Sequence, residues 1–93
     1  MIRSFADRDT ERVWFRKPVK RLDPRIHKAE NRKLHLLDAA TTLQVLRVPP
    51  GNRLEALKGD RRGQYSVRVN DQWRICFRWT DAGPEDVKIE DYH

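Results

Sequence analysis

The side chains best equipped for chemistry in this chain are the terminal Asp91-Tyr92-His93 and two arginines, Arg68 and Arg74. An imidazole gives or takes a proton near neutral pH. Val87, Ile89 and Tyr92 would pin the tail into a sheet and leave His93 beside the C-terminal carboxylate. A solvent-exposed tail histidine is the plain alternative. The arginines supply a complementary function, because the planar guanidinium grips an oxyanion through paired hydrogen bonds.

Whether the arginines meet depends on strand register. Tyr65, Val67 and Val69 alternate with Gln64, Ser66 and Arg68, and Trp73, Ile75, Phe77 and Trp79 alternate with Arg74, Cys76 and Arg78. The apolar sets share one face only if Val69 pairs opposite Trp73, leaving Asn70-Asp71-Gln72 as a three-residue loop. A two-residue loop would turn one apolar set into solvent. In this register Arg68 lies opposite Arg74 on the polar face, with Ser66 and Cys76 beside them. Opposed guanidinium groups repel unless an anion sits between them. The pattern points to an anion-binding face.

Other elements must hold that hairpin in place. Met1 to Phe5 reads as a short opening strand. Asp7 is an N-cap for a helix to about Lys17, stopped by Pro18, with Val13, Trp14 and Phe15 on its buried side. Asp23 and Pro24 start a second helix, whose Ile26, Ala29, Leu34, Leu37 and Ala40 fall on one face. Arg25, Lys28, Arg32 and His35 form a separate stripe, either a solvated face or a phosphate-facing ridge. Thr41-Thr42 ends this helix, Leu43, Val45 and Leu46 make a further turn, and Pro49-Pro50-Gly51-Asn52 is a loop. Leu54 to Leu57 can add a strand, Asp81-Ala82-Gly83-Pro84 makes a turn, and a last strand runs from about Asp86 to Tyr92.

Composition bounds the partners. A length of 93 residues is expected to make one domain, residues 1–93. Twenty basic against 14 acidic residues leave a net charge of +6, which favours nucleic acid or an acidic protein over a membrane surface. No apolar stretch has the length of a membrane span or signal-peptide core. The single Cys76 excludes an internal disulfide and fits a reducing cytoplasm. His27 and His35 have no cysteine or second ligand pair nearby, so neither a metal nor another cofactor is expected.

The C-terminal half contains Leu57-Lys58-Gly59-Asp60, then Asn70-x-x-Trp73-Arg74, and closes on Glu90-Asp91-Tyr92-His93. In these motifs the chain resembles the HigB toxins of the RelE/ParE superfamily, and the likeness extends back to Met1-Ile2-Arg3-Ser4-Phe5. The resemblance implies an α+β fold, an N-terminal strand and two helices packed on a curved antiparallel sheet. It also implies a type II toxin that cuts mRNA in the ribosomal A site. Its partners would be the 70S ribosome with mRNA and a HigA-like helix-turn-helix antitoxin, with operator DNA reached only through the antitoxin complex. There is one departure: several HigB proteins carry His where this chain has Glu55, whereas the related YoeB toxins carry Glu.

Cleavage of RNA by internal attack needs a base for the 2′-OH, charge stabilisation at the phosphate, and an acid for the leaving 5′-oxygen. Glu55 can accept the proton, Arg74 and Arg68 can grip the phosphate, Lys58 adds a point charge, and His93 is the candidate acid. Asp91, Tyr92 and the stripe residues Arg25, Lys28 and Arg32 are candidate RNA contacts. Structural roles compete with these. Glu55 can form a cross-strand ion pair, Arg74 can bridge to Asp91, and Tyr92 can be core or a platform for a base. Arg78 reads as an edge charge, and Tyr65, Trp73 and Trp79 as core. Two other functions stay open: a ParE-like toxin that poisons DNA gyrase, and an RNA-binding domain without turnover.

Overall fold

Strand alternation builds a four-stranded antiparallel sheet in the order β1 (Glu55–Ala56), β2 (Gln64–Arg68), β3 (Trp73–Thr80) and β4 (Gly83–Asp91). The computed structural model describes residues 1–22 and 24–91, with Ile26 described by its backbone alone. In the β2–β3 ladder Tyr65 stands opposite Phe77, Val67 opposite Ile75 and Arg68 opposite Arg74. The Asn70 side-chain oxygen closes the intervening loop, accepting the backbone N–H groups of Gln72 and Trp73 at 2.9 Å each. Val67, Trp73, Ile75 and Phe77 are consequently buried on one face with Val87 and Ile89 of β4. Each such side chain contributes roughly 1.5–3 kcal/mol through its removal from water.

Two helices, α1 (Arg8–Trp14) and α2 (His27–Ala39), cover that face, adding Val13, Leu34 and Leu37 to the core. Asp7 caps α1 as its sequence requires, accepting the Thr10 N–H at 2.8 Å. The helix stops at Trp14, short of the expected Lys17, because Arg16 takes a left-handed φ of 60°. Its N–H bonds to Val13 O and that of Lys17 to Arg12 O, which terminates the helix before Pro18 acts.

A 3₁₀ turn over Pro24–Ile26 leads into α2. Leu34, Leu37 and Ala40 are buried as the periodicity requires, but so are Glu30 and Asn31. The Asn31 amide donates to Val13 O at 3.0 Å, which also accepts the Arg16 N–H, and to Trp14 O at 3.3 Å, both carbonyls at the end of α1. The expected Asp23 cap and the burial of Ile26 lie outside the described residues. Thr42 caps a further 3₁₀ turn, Leu43–Arg47, where the sequence ends the helix.

The chain start runs alongside β4. Phe5 makes a single parallel bridge to Val87, in place of a full opening strand. Arg3 N–H donates to Pro84 O at 2.7 Å and Ala6 N–H to Val87 O at 2.8 Å. β4 starts at Gly83, so only Asp81-Ala82 separate its first pair from Thr80, a tighter turn than the four residues expected. Gly83 has a φ of +126°, and a Cβ there would meet Met1 O at 2.2 Å. Farther along, β4 carries one extra residue where the register shifts between Cys76 and Arg78. Asp86, with a φ of 53°, sits in this bulge.

Glu30 is fully buried, and neither of its carboxylate oxygens has a hydrogen-bond partner. Burial pushes its pKa from 4.5 up to about 7, against the opposing pull of Arg21. The folded protein thus binds more protons than the unfolded chain between those values. Stability should fall as pH rises from about 4.5 to about 7, and Glu30→Gln should flatten this slope. The same substitution should add on the order of 1–2 kcal/mol at alkaline pH, the amide still lacking partners. Urea denaturation of both proteins across this range measures the effect, and an unchanged slope in the variant would refute it.

Candidate active site on the outer face of the sheet

The alternation that buries Val67, Ile75 and Ile89 turns Ser66, Arg68, Arg74, Cys76, Lys88 and Glu90 to the side away from the helices. Glu55 pairs opposite Ser66 and so joins them. The ladder lines up two rows across the sheet, Glu55-Ser66-Cys76-Lys88 and Arg68-Arg74-Glu90. This face concentrates charge of both signs.

Glu55 and Arg74 meet directly. Arg74 Nη2 lies 3.1 Å from Glu55 Oε1, and the Arg74 side chain is only 12% exposed against 48% for Glu55. A guanidinium this far out of water requires a counter-charge, and the carboxylate supplies it. Arg68, opposite Arg74, forms its own ion pair with Asp71 in the hairpin loop. The repulsion expected between the opposed arginines is therefore answered by a separate carboxylate on each. A phosphate could take the place of either, since both anions satisfy the same fork.

The remaining sequence candidates divide. Lys58 is exposed, three residues along from Glu55, at the head of the turn Gly59–Arg61. Asp91 pairs opposite Trp73 rather than Arg74, so alternation puts it on the helix side of the sheet. There its carboxylate accepts from Gln72 Nε2 at 3.2 Å. Arg25, Lys28 and Arg32 are exposed on the helical layer and are not brought to the Glu55–Arg74 pair. Lys28 and Arg32 instead line a groove of about 910 Å³ between α2 and the segment after α1, with Val13, Val19 and Leu22. Tyr92 and His93 lie outside the described residues.

Sequence reasoning missed a second cluster on the same face. Arg61 binds Glu90 through both terminal nitrogens, Nη1 to Oε2 at 2.7 Å and Nη2 to Oε1 at 3.1 Å. The Cys76 thiol donates to Glu90 Oε2 at 2.9 Å, and Lys88 Nζ lies 3.7 Å from Oε1. Burial favours the protonated form of Glu90, but the hydrogen bonds from Arg61 and Cys76 and the nearby charges outweigh it and hold its pKa below the usual range. Glu90 stays ionised, which makes it a fixed anion and not a proton donor. The only signal for the cluster was the alternation of β4, which places Lys88 and Glu90 on one face.

An α+β chain whose helices cover one face of an antiparallel sheet and whose other face carries paired arginines and carboxylates has clear relatives. The family model for the RelE-like toxin of type II toxin-antitoxin system HigB matches residues 3–93. Toxin HigB-1 of Vibrio cholerae is 44% identical over 83 residues, covering 88% of this chain and 87% of that protein. Endoribonuclease HigB of Proteus vulgaris is 37% identical over 67 residues, covering 68% and 67% respectively. The fold is shared with a YoeB/ParE toxin from Agrobacterium tumefaciens at a TM-score of 0.59 and 19% identity, over 99% of this chain and 98% of the other. This chain belongs to the HigB-like toxin family of type II toxin–antitoxin systems.

Cys76 lies in the middle of this face yet is chemically quiet. Burial first, and then the hydrogen bond to anionic Glu90, push its pKa up to about 12. Almost no thiolate exists at physiological pH. Native protein should resist iodoacetamide at about pH 8 and become alkylated once unfolded, as followed by intact mass. Rapid labelling of the folded chain would contradict the site geometry.

Proposed function

We propose that this chain is a ribosome-dependent endoribonuclease that cuts translated mRNA in the ribosomal A site, using the outer face of the sheet. The observation that carries this reading is the Glu55–Arg74 pair at 3.1 Å, with Arg68 directly opposite Arg74. It unites a proton acceptor with two phosphate-gripping groups. The family membership and the name Endoribonuclease HigB of the Proteus relative support the same chemistry.

In this mechanism the scissile phosphate displaces Glu55 from Arg74. The freed carboxylate takes the proton of the 2′-OH, whose oxygen attacks the adjacent phosphorus. Arg74, with Arg68 beside it, stabilises the charge that develops on the phosphoryl oxygens. Lys58 adds positive charge, and His93 protonates the departing 5′-oxygen. Tyr92 would hold a base, and Arg25, Lys28 and Arg32 would meet ribosomal RNA, on the layer opposite the catalytic face. A metal has no assigned step. The cognate antitoxin is a HigA-like helix-turn-helix protein, and operator DNA is met only through the complex with it. The work takes place in the cytoplasm, where ribosomes and message are found.

Primer extension on mRNA held in translating ribosomes tests this. Wild type should give codon-positioned cuts, and His93→Gln and Arg74→Ala should each reduce them by about 10²-fold or more. Glu55→Gln should do likewise; a binding domain without turnover would give no cuts, and its activity in cells would be unchanged by Glu55→Gln. Absence of cuts while growth inhibition persists would sink the nuclease and point to a protein target such as gyrase.

A further inference from the structure

The Arg61–Glu90 cluster takes no part in the steps above, although its ladder position places Glu90 directly opposite Arg74. With Arg21, Asp7, Ile89 and Asp91 the cluster lines a shallow depression of about 460 Å³. Among its cations Arg21 is committed elsewhere, to Asp9 at 2.8 Å, Asp7 at 3.4 Å and Ile89 O at 3.3 Å. Arg61 and Lys88 both spend their charge on Glu90, and their side chains are 41% and 45% exposed.

This ion pair is built so that it can part. If Arg61 leaves, Glu90 keeps the Cys76 thiol and Lys88. Arg61 in turn has a second contact, from Nη2 to Gln64 Oε1 at 3.2 Å. Neither group depends on the other alone, and an ion pair this exposed holds weakly against water and salt. Its two-pronged geometry is also the one by which a guanidinium takes a phosphate. Glu55 on Arg74 and Glu90 on Arg61 thus form two parallel pairs, each a carboxylate seated where an RNA phosphate could sit.

We propose that Arg61 and Lys88 form a second phosphate subsite for the RNA strand gripped at Arg74, and that Glu90 occupies this subsite in the free protein. The proposal rests on the nuclease reading and extends it. Arg74 takes the scissile phosphate, and Arg61 takes a neighbouring one. Glu90 lowers affinity for any anion too weak to displace it.

Fluorescence anisotropy with a single-stranded RNA bearing 2′-O-methyl groups throughout, which internal attack cannot cleave, provides the test across a salt series. Arg61→Gln should weaken binding roughly tenfold and make the log K against log salt slope shallower by about 0.7. Glu90→Gln should tighten binding several-fold, and this gain should vanish in the Arg61→Gln/Glu90→Gln double variant. Arg61→Lys, which keeps the charge and loses the fork, should fall between wild type and Arg61→Gln. Circular dichroism confirms that each variant is folded, and Arg61→Lys carries the test if Arg61→Gln is not. Binding that depends on Arg74 but ignores Arg61 would overturn this inference alone. Glu90→Gln weakening binding as much as Arg61→Gln would likewise overturn it, by marking the pair as a structural clamp. A wild type that binds no free RNA would also overturn this inference, while the ribosome-dependent cleavage would still stand or fall on primer extension.

Discussion

Everything in this structure depends on the register between β2 and β3. Side chains alternate across a strand, so a slip of one residue would send Val67 or Ile75 into solvent and bury Arg68 or Arg74. The Asn70 side chain fixes the count by closing the loop on the backbone of Gln72 and Trp73. Burial of Phe77 and Ile75 then holds the ladder against the helices. One constraint thus makes both the core and the charged face. The apolar residues do not merely support the site; their placement determines which arginines can meet.

On the charged face, carboxylates keep the cations in place. Arg74 rests on Glu55, Arg68 on Asp71 and Arg61 on Glu90, each within the same sheet or its loops. The Arg74 guanidinium, only 12% exposed, would carry a desolvation cost of several kcal/mol without such a partner. The free protein therefore presents a face whose guanidinium groups are already oriented and already paired. If, as proposed, an RNA phosphate takes a carboxylate's place, one anion replaces another and little reorganisation is needed at the moment of reaction. Cys76, buried between these charges and held protonated, fills space among them without adding a competing nucleophile.

The hairpin register and the meeting of Arg68 with Arg74 were legible in the sequence because a period of two admits only odd loop lengths if both apolar sets are to be buried. Three is the shortest that closes this hairpin. The Asp7 cap and the Thr42 break were legible for a similar reason, since their side chains act on backbone groups a few residues away. The end of α1 was not, because it hinges on the left-handed Arg16, a conformation that an arginine does not announce. Glu30 and Asn31 were also missed: they occupy the buried stripe of α2 but have residue types usually found outside. The Arg61–Glu90 cluster joins a turn after β1 to the last strand, a long-range pairing that local patterns do not encode. Asp91 was read as a neighbour of the site through its place in the terminal motif, whereas its parity in β4 turns it to the other side.

The central claim is that this face cleaves RNA by internal attack of the 2′-hydroxyl, with Glu55 as the acceptor of its proton. The chemistry of the cut ends tests it most directly. Fragments of a ribosome-bound message, recovered after treatment with wild-type protein, should carry a 2′,3′-cyclic phosphate on the upstream piece and a 5′-hydroxyl on the downstream piece by mass spectrometry. A 5′-phosphate on the downstream piece would mean that water, and not the neighbouring hydroxyl, attacked the phosphorus, and would contradict the account.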